Sequence, residues 1–477
     1  MNIPTLRSIL PTLLFLTPLF PAAAATPTFS KEIAPILFQN CASCHRVGEV
    51  GPFPLLTYED ARKRAKTIAV AVEKRLMPPW KATPGLVSYH DETRLTDPQI
   101  ALIKAWADAG APEGNRAVLP PAPKFPTGWS LGEPDLVLQS DREFRLDAEG
   151  RDVYQCFVIP TNLAEDRYLS AIEVRPDNRR IVHHVIAYTD TTGRGRQRDA
   201  ETAELGYRTF GGPGVPGAQW LEGWAPGKNP RHLPPSHGIF VPKGADIILQ
   251  VHYNKTGKPE TDRTKIGFHF TKGPVDKRVR IHTHAFPALN IQPGNANYTV
   301  TSSYTVPSNV TVLAVWPHMH LLGRTISVEA TLPTGAKQPM VTVPDWDFNW
   351  QLGYHFKEPL KFPSGTKIQL TARYDNSENN PANPSRPPKA VRWGEQTTDE
   401  MCIAFYAYTV DSEHLTQGIA ASGMKGGLGG NNREAAQTLL QEALKRFDKD
   451  GDGKLNDDER AEAVKAFQER FGTGKKL

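Results

Sequence analysis

The sequence predicts a multidomain chain, with a small α-helical domain first, two antiparallel β-sandwiches next and a short α-helical tail last. Three observations support this class. The length of 477 residues corresponds to three or four domains at about 100–200 residues each. The 42 prolines and 38 glycines indicate the many turns of a β-rich architecture. Between residues 134 and 415, short runs rich in Val, Ile, Tyr and Phe alternate with Gly, Pro and Asn turns, which is typical of β-sandwiches.

Residues 1–25 have the pattern of a secretory signal peptide. Arg7 is the only charge before Lys31, a short apolar run covers residues 9–20, and Ala23, Ala24 and Ala25 offer a cleavage site before Thr26. A membrane anchor is the alternative, but the apolar run of about 12 residues is shorter than the roughly 20 that span a bilayer. We therefore expect a periplasmic or otherwise secreted protein with no membrane span after signal cleavage.

The predicted helical domain, residues 26–116, carries the sequence CASCH at 41–45. C-x-x-C-H is the attachment signature of c-type haem, in which Cys41 and Cys44 bond the porphyrin and His45 binds the iron. A thioredoxin-like pair would need a βαβ setting, and a zinc site would need a second Cys/His pair. Met77, in RLMPPWK, is the favoured sixth ligand, with His90 as its rival. The segment resembles a small class I cytochrome c domain, which takes electrons from an external donor.

The other elements follow from local patterns. TDPQIALIKAWADAG (96–110) predicts a helix with Asp97 as its N-cap, Pro98 in its first turn and Gly110 as its stop. The proline-rich residues 117–133 predict a linker. The sandwiches are predicted at 134–275 and 276–415. Their clearest strands are DLVLQ (135–139), DVYQCFVI (152–159), RIVHHVIAY (180–188), DIILQVHY (246–253), TVLAVWPHMH (311–320) and MCIAFYAYTV (401–410).

Histidines recur in three of these strands. His183 and His184 are adjacent, His252 lies in LQVHYN, and His318 and His320 lie in PHMHLLGR. Neighbouring side chains on a regular strand point to opposite faces, whereas side chains two residues apart share a face. His318 and His320 are therefore placed to hold one metal ion, with the methionine between them pointing away. The adjacent pair needs a β-bulge or a strong twist to reach one metal ion.

The order of these motifs, closed by DEMCIAFYAY (399–408), resembles the copper type II, ascorbate-dependent monooxygenases. GWAPG (223–227), VPKGADIILQVHY (241–253) and WGEQTTDEM (393–401) match the same family, so that the resemblance covers about residues 136–415. It implies two jelly-roll-like sandwiches that each bind one copper ion.

The resemblance also implies the ligands. An electron-transfer copper would be held by His183, His184 and His252. An oxygen-binding, catalytic copper would be held by His318, His320 and Met401, where the thioether favours Cu(I).

Several other residues stay open at this point. His282 and His284 form a second His-x-His pair, but they lack the Leu-Gly that follows His320. Met340 is a poorer ligand candidate than Met401, because nothing around it matches the family. Export favours a disulfide between Cys156 and Cys402, but the resemblance gives no support for that pairing.

The departures from the family bear on the substrate. In the peptide-amidating members, an Arg, an Asn and a Tyr hold the substrate carboxylate, and the matching positions here are Trp316, Ile403 and Phe405. The resemblance therefore implies hydroxylation of a small, apolar or aromatic organic substrate with O2, with the haem in place of ascorbate. A periplasmic electron-transfer or copper-handling protein without oxygenase turnover is the alternative. The net charge of +5 is too small to indicate nucleic acid.

The C-terminal tail carries a calcium-binding motif. A glycine-rich linker at 416–432 precedes a helical segment at 433–477, and DKDGDGKLNDDE (448–459) fits the twelve-residue EF-hand loop. The predicted calcium ligands are Asp448, Asp450, Asp452, Lys454 through its carbonyl, Asn456 and Glu459. A single EF-hand does not distinguish a sensor from a structural brace.

Overall fold

The computed structural model describes residues 26–126, 128–209, 212–394 and 396–424, together with 447 and 449. The predicted signal peptide and all six predicted calcium ligands lie outside these residues. Within the described ranges, no helix is both long and apolar enough to cross a membrane.

Helices are concentrated in the first segment, as the sequence predicts. They begin with a π-helical turn at Phe29–Ile33 and continue as α1 (Ala34–Asn40), α2 (Tyr58–Lys63), α3 (Ala65–Glu73) and α4 (Asp97–Asp108), with 3-10 turns at Arg116–Val118 and Leu415–Gln417 and one further helix, α5 (Arg194–Ala200). The first segment has its own hydrophobic core, in which Phe29, Leu37, Ile103 and Trp106 are fully buried.

The predicted cap of α4 was wrong by one residue. Thr96, and not Asp97, is the N-cap, because its hydroxyl accepts from the backbone N–H of Gln99 at 3.4 Å. The Gln99 side chain in turn accepts from the backbone N–H of Thr96 at 2.9 Å. This reciprocal capping box satisfies two N–H groups that an aspartate cap would satisfy only in part.

The rest of the described chain is built of strands, and the predicted β-rich architecture is confirmed. The strands are β1 (Leu136–Gln139), β2 (Phe144–Leu146), β3 (Val153–Pro160), β4 (Arg167–Arg175), β5 (Val182–Asp190), β6 (Tyr207–Arg208), β7 (Gln219–Trp224), β8 (His237–Val241), β9 (Asp246–Tyr253), β10 (Glu260–Asp262), β11 (Lys265–Phe270), β12 (Lys277–Ala285), β13 (Asn290–Ile291), β14 (Tyr298–Thr305), β15 (Val310–His318), β16 (Gly323–Thr331), β17 (Lys337–Val343), β18 (Tyr354–Phe362), β19 (Lys367–Tyr374), β20 (Val391–Arg392) and β21 (Ile403–Val410).

Two sandwiches share one long sheet. That sheet has the strand order β1-β11-β4-β8-β12-β21-β15-β18. Its first half packs on the sheet β6-β3-β9-β5-β7 around a core that includes Ile172, Val185 and Phe268. Its second half packs on the sheet β14-β19-β16-β17 around a core that includes Ile326 and Tyr406.

The two halves of the long sheet join at a short parallel pair. Lys277 to Val279 of β12 pair with His237 to Ile239 of β8, while β12 pairs antiparallel with β21 on its other side. The hydrogen-bonded ladder therefore runs from one sandwich into the other.

Part of the helical segment packs on the second sandwich. Tyr89 forms a bridge with Phe356 of β18, and its hydroxyl donates to the carbonyl of Met340 at 2.8 Å. Trp80 and Ala82 pack against the same core. Residues 80–90 therefore link the CASCH-bearing helices to the second sandwich instead of adding to the core of the first segment.

Candidate metal centres

The first histidine cluster is formed across β5 and β9. Val182 pairs with Tyr253, but the next pair along the strands is His184 with His252, so that His183 is an extra residue in β5. This β-bulge confirms the local irregularity that the adjacent histidines require. It turns the His183 ring to the same side as His184, because a bulge residue leaves the regular alternation of the strand.

The spacing of the three rings fits a single metal ion. One candidate ligand atom from each of His183, His184 and His252 lies within 4.8 Å of the others. The Nδ1 atom of His184 is 3.3 Å from that of His183 and 3.4 Å from that of His252. Three nitrogens at about 2.0 Å from a metal in a trigonal plane would be about 3.5 Å apart. The structure thus brings the three predicted ligands together, and their role in binding copper stays a prediction.

A carboxylate orients one ring of this cluster. Asp152 Oδ2 accepts from His252 Nε2–H at 3.1 Å and from the Thr397 hydroxyl at 2.8 Å. With the proton on Nε2, the lone pair of His252 lies on Nδ1, which faces the other two rings. Burial raises the pKa of Asp152, but the hydrogen bonds from His252 and Thr397 outweigh it and the net shift is downward. The anionic acceptor therefore persists at neutral pH.

The second histidine pair lies at the end of β15. The rings of His318 and His320 are 5.1 Å apart and almost perpendicular. His318 Nδ1–H donates to Gln351 Oε1 at 2.6 Å, and His320 Nδ1–H donates to the Asp399 carbonyl at 3.1 Å. Each Nε2 atom therefore carries a lone pair for a metal ion. Met319, between them, is fully buried in the core of the second sandwich, which confirms that it points away.

Glu400 ties this pair to the segment of Met401. Its carboxylate accepts from the backbone N–H groups of His320 at 2.8 Å, Leu322 at 2.6 Å and Met401 at 3.2 Å. The Tyr374 hydroxyl donates to the Met401 carbonyl at 2.8 Å. The structure therefore places the backbone of Met401 beside the loop of His320. The ligand role of its thioether stays a prediction.

Phe348 lies between the two histidine sets. Its ring stacks on His183 at 5.1 Å and 20°, and it meets His320 edge to face at 5.6 Å and 79°. Each set therefore contributes one ring to the same aromatic neighbour.

Burial keeps these imidazoles neutral. It lowers the pKa of His183 to about 3, of His318 to about 4 and of His320 to about 3. For the half-buried His184, desolvation and then the neighbouring imidazoles place the pKa well below 6.5. Neutral imidazole is the form that binds a metal ion, so each histidine set is in the protonation state that can bind a metal ion at neutral pH.

The residues of the haem motif also fit their predicted group. Cys41 and Cys44 carry unbonded thiols on the turn after α1. His45 Nδ1–H donates to the Phe53 carbonyl at 3.0 Å, which leaves a lone pair on Nε2 for iron. Val47 is 89% exposed just after the motif, and Leu76 is 47% exposed just before Met77. Two unbonded thiols, an oriented imidazole and uncovered apolar side chains suit a haem, whose attachment stays a prediction.

The two sixth-ligand candidates lie in different surroundings. Met77 follows α3, whose Ile68 and Val72 belong to the same core as the CASCH-bearing helix. The backbone N–H of His90 donates to the His355 carbonyl at 2.8 Å, so His90 lies against the second sandwich. The arrangement favours Met77.

The second His-x-His pair, on β12, is not grouped with other ligand side chains. His284 Nδ1 lies 2.9 Å from the Tyr406 hydroxyl and its Nε2 lies 3.0 Å from that of Ser302, so both nitrogens are used. His282 packs on Tyr304 and its buried Nδ1 has no hydrogen-bond partner. Among the described residues, His183, His184 and His252 form the one group of three or more His, Cys, Asp or Glu side chains that lie close enough to hold a metal ion.

Aromatic rings gather around Trp316 and Phe405, two of the positions compared above with the peptide-amidating monooxygenases. Trp316 and Phe405 are paired across β15 and β21, and Trp220 of β7 packs on Phe405 at 4.2 Å. The buried Nε1–H of Trp220 has no acceptor. Sequence reasoning found Trp316 and Phe405 but missed Trp220, which comes from the other sandwich.

Cys156 and Cys402 are not bonded to each other. They are buried in two different hydrophobic clusters, one on the outer face of the first sandwich and one in the core of the second.

Comparison with known proteins agrees with this geometry. Residues 279–421 match the family model described as copper type II ascorbate-dependent monooxygenase, C-terminal domain. DBH-like monooxygenase protein 1 from Gallus gallus is 22% identical over 282 residues, which are 53% of this chain and 43% of that protein. The Homo sapiens protein of the same name is 23% identical, with the same coverage of 53% of this chain and 43% of that protein. The chain thus spans less than half the length of these relatives.

Among solved structures, the major capsid protein P2 from bacteriophage PM2 aligns with 58% of this chain and 97% of that chain at 9% identity. The TM-score of this alignment is 0.23. Residues 279–421 are therefore similar to the C-terminal domain of copper type II ascorbate-dependent monooxygenases, and the chain is similar to two relatives that are named as monooxygenases.

Proposed function

We propose that this chain hydroxylates a C–H bond of a small, apolar or aromatic organic substrate with O2, with two copper ions as cofactors and a covalent haem as the relay of electrons. The observation that carries the proposal is the pairing of two neutral histidine sets around Phe348. One set presents Nδ1 lone pairs from three rings. The other presents Nε2 lone pairs from His318 and His320.

The protein would contribute orientation and electrostatics to this reaction. Copper at the two sites would store one electron each and supply the chemistry with O2. Asp152 and Gln351 hold the tautomers of His252 and His318, so that each lone pair faces its site. Glu400 fixes the distance between the backbones of His320 and Met401.

The substrate would lie against the aromatic side chains near the second set. Trp316 and Phe405 stand where the peptide-amidating members hold a carboxylate, and Trp220 adds a third ring. Flat apolar walls favour a small aromatic or apolar molecule, because they offer stacking area. The Lys228 ammonium lies 5.7 Å from the centre of the Trp316 ring, but it is already paired with Glu222. The buried Trp220 N–H without an acceptor would favour a substrate with one hydrogen-bond acceptor.

The remaining parts of the proposal come from the sequence. Export to the periplasm or the outside of the cell suits covalent haem attachment, an external donor would supply the haem, and calcium would bind the C-terminal loop. No nucleic acid takes part in this proposal.

Isotope labelling tests the proposal directly. The copper-loaded protein is reduced chemically, supplied with 18O2 and a set of small aromatic substrates, and the products are analysed by mass spectrometry. We expect label in an organic product from the wild type and none from Met401→Ile. Met340→Ile is the matched control, because Met340 is buried in the core of the second sandwich. Rapid electron transfer without label in any product would instead support an electron-transfer or copper-handling protein.

A further inference from the structure

We propose that His183 is the side chain through which electrons from the haem segment enter the copper centres, and that two ionic contacts dock this segment beside it. The inference rests on the proposed function in that it takes haem and copper to be bound. It adds the docking surface, the entry point and the residues that set the transfer rate.

The first contact lies on the haem-attachment loop. Glu49, four residues after His45, accepts from Arg179 Nη1–H at 2.6 Å and pairs with Arg46 at 2.9 Å. The Glu49 side chain is 15% exposed and that of Arg179 is 26% exposed. A partly buried pair is screened less by salt than a surface pair. The contact therefore joins the CASCH loop to the first sandwich.

Arg179 stands on a firmly held turn that leads to His183. The backbone N–H groups of Asp177 and Asn178 both donate to Asp262 Oδ1, at 3.1 and 2.9 Å. Asp262 is almost fully buried and also accepts from the Tyr253 hydroxyl at 2.8 Å. Three residues separate Arg179 from the bulge at His183. The haem loop thus touches the segment that begins β5.

The second contact lies beyond the sixth-ligand candidate Met77. Lys81 pairs with Asp345 at 3.4 Å and Asp347 at 3.7 Å, and its side chain is 8% exposed. The backbone N–H of Thr83 donates to the Thr342 carbonyl at 2.8 Å. The chain after Met77 is therefore fixed to the loop that ends β17.

That loop also carries Phe348, the residue after Asp347, so the second contact leads to His183 as the first one does. The Phe348 ring stacks on His183 at 5.1 Å, nearly parallel. A stacked aromatic ring excludes water and leaves one short through-space step between the Phe348 and His183 rings. His183 is reached along the backbone from Arg179 and through the Phe348 ring from Lys81.

The step is a single electron transfer. The haem that Cys41, Cys44 and His45 would hold would give up one electron, and the copper ion that His183, His184 and His252 would hold would accept it. No bond is made or broken between the groups, and no proton is required.

Flash photolysis tests the proposal without O2 or substrate. The fully oxidised, copper-loaded protein receives one electron at the haem from a photosensitiser, and reoxidation of the haem is followed by its absorbance. We expect a first-order decay in the wild type that is independent of protein concentration. Glu49→Gln should slow it several-fold at low ionic strength, with a difference that shrinks as salt rises, because an ion pair is lost. Phe348→Leu should slow it at every salt concentration.

Two variants serve as matched controls. Glu73→Gln removes a carboxylate of the same segment that pairs with Lys104 on its exposed surface, at 3.1 Å. Phe240→Leu removes a half-buried ring of the first sandwich that packs on Tyr168. Both should decay like the wild type. Copper content and the Cu(II) electron paramagnetic resonance spectrum, measured on every variant, confirm that the sites are intact.

The outcomes separate this inference from the proposed function. Decay at the wild-type rate in both Glu49→Gln and Phe348→Leu, with intact copper sites, would overturn the entry point. Failure of the proposed function would appear in the isotope-labelling experiment. There the chemically reduced wild type would place no 18O in any product, although it transfers the electron in flash photolysis.

Discussion

Replacement of Glu400 gives a quantitative test of how the second histidine pair is held. Its two carboxyl oxygens accept three backbone N–H groups, from His320, Leu322 and Met401. Glu400→Ala leaves all three without an acceptor, and at about 1–3 kcal/mol per buried unsatisfied donor it should cost about 3–9 kcal/mol. Glu400→Gln keeps an oxygen where His320 and Met401 donate and loses only the Leu322 bond. It should cost about 1–3 kcal/mol.

Amide hydrogen exchange of the folded protein, followed in the segments 318–324 and 399–404, measures this loss of local stability, because exchange reports how often each segment opens. Exchange should accelerate strongly in the alanine variant and moderately in the glutamine variant. Equal acceleration in the two variants, or less than about tenfold in the alanine variant, corresponding to about 1.4 kcal/mol, would refute the reasoning.

The pH dependence of the same variants supplies a second readout. Burial raises the pKa of Glu400 from 4.5 to about 8, against the opposing pull of its backbone donors. Between these two values the folded protein retains a proton that the unfolded chain releases. The contribution of Glu400 to the free energy of unfolding is therefore largest below pH 4.5 and is lost as the pH rises through about 8. The glutamine variant should lack this loss.

Two further predictions concern the first cluster and acid stability. Asp152→Ala should weaken copper binding at the cluster of His183 and His252 by about 10–100-fold, as loss of an outer hydrogen-bond partner does. Thr397→Val removes a hydrogen bond to Asp152 that does not touch the histidines themselves, and should weaken copper binding less. Competition with a copper chelator measures both. In the metal-free protein, each imidazole of low pKa should lower the free energy of unfolding by up to about 1.4 kcal/mol per pH unit below pH 6.5. The reason is that a histidine of the unfolded chain binds a proton below this pH, whereas the folded His318 and His320 stay neutral down to about pH 4 and pH 3. Denaturant unfolding from pH 7 to pH 5 checks this, and a flat profile would contradict it.

Local pattern was enough to predict the strands and the irregularity at His183. Runs rich in Val, Ile, Tyr and Phe, bounded by turn residues, identify β5, β9 and β15 to within two residues. Two adjacent imidazoles that share a metal ion force a bulge, whatever the rest of the fold. The capping of α4 was missed by one residue, because Thr96 and Asp97 are both good caps and only the Gln99 side chain decides between them.

The supporting residues could not be predicted in this way. Asp152 and Thr397 are 245 residues apart, and Phe348 reaches back to His183 from the other sandwich. A carboxylate or a phenyl ring has no local signature that says which imidazole it will meet. Glu400 adjoins Met401 in the sequence, but its importance depends on three donors from a loop about 80 residues away. Such contacts are set by tertiary packing.

The short parallel pair between β8 and β12 also restrains movement of the whole molecule. Strands from both sandwiches are joined by main-chain hydrogen bonds across this pair, so swinging one sandwich away from the other would break the sheet itself and not merely a side-chain interface. We therefore expect the spacing of the two histidine sets to stay nearly constant, and any molecule that reaches the rings of Trp316 and Phe405 to be admitted by movement of loops.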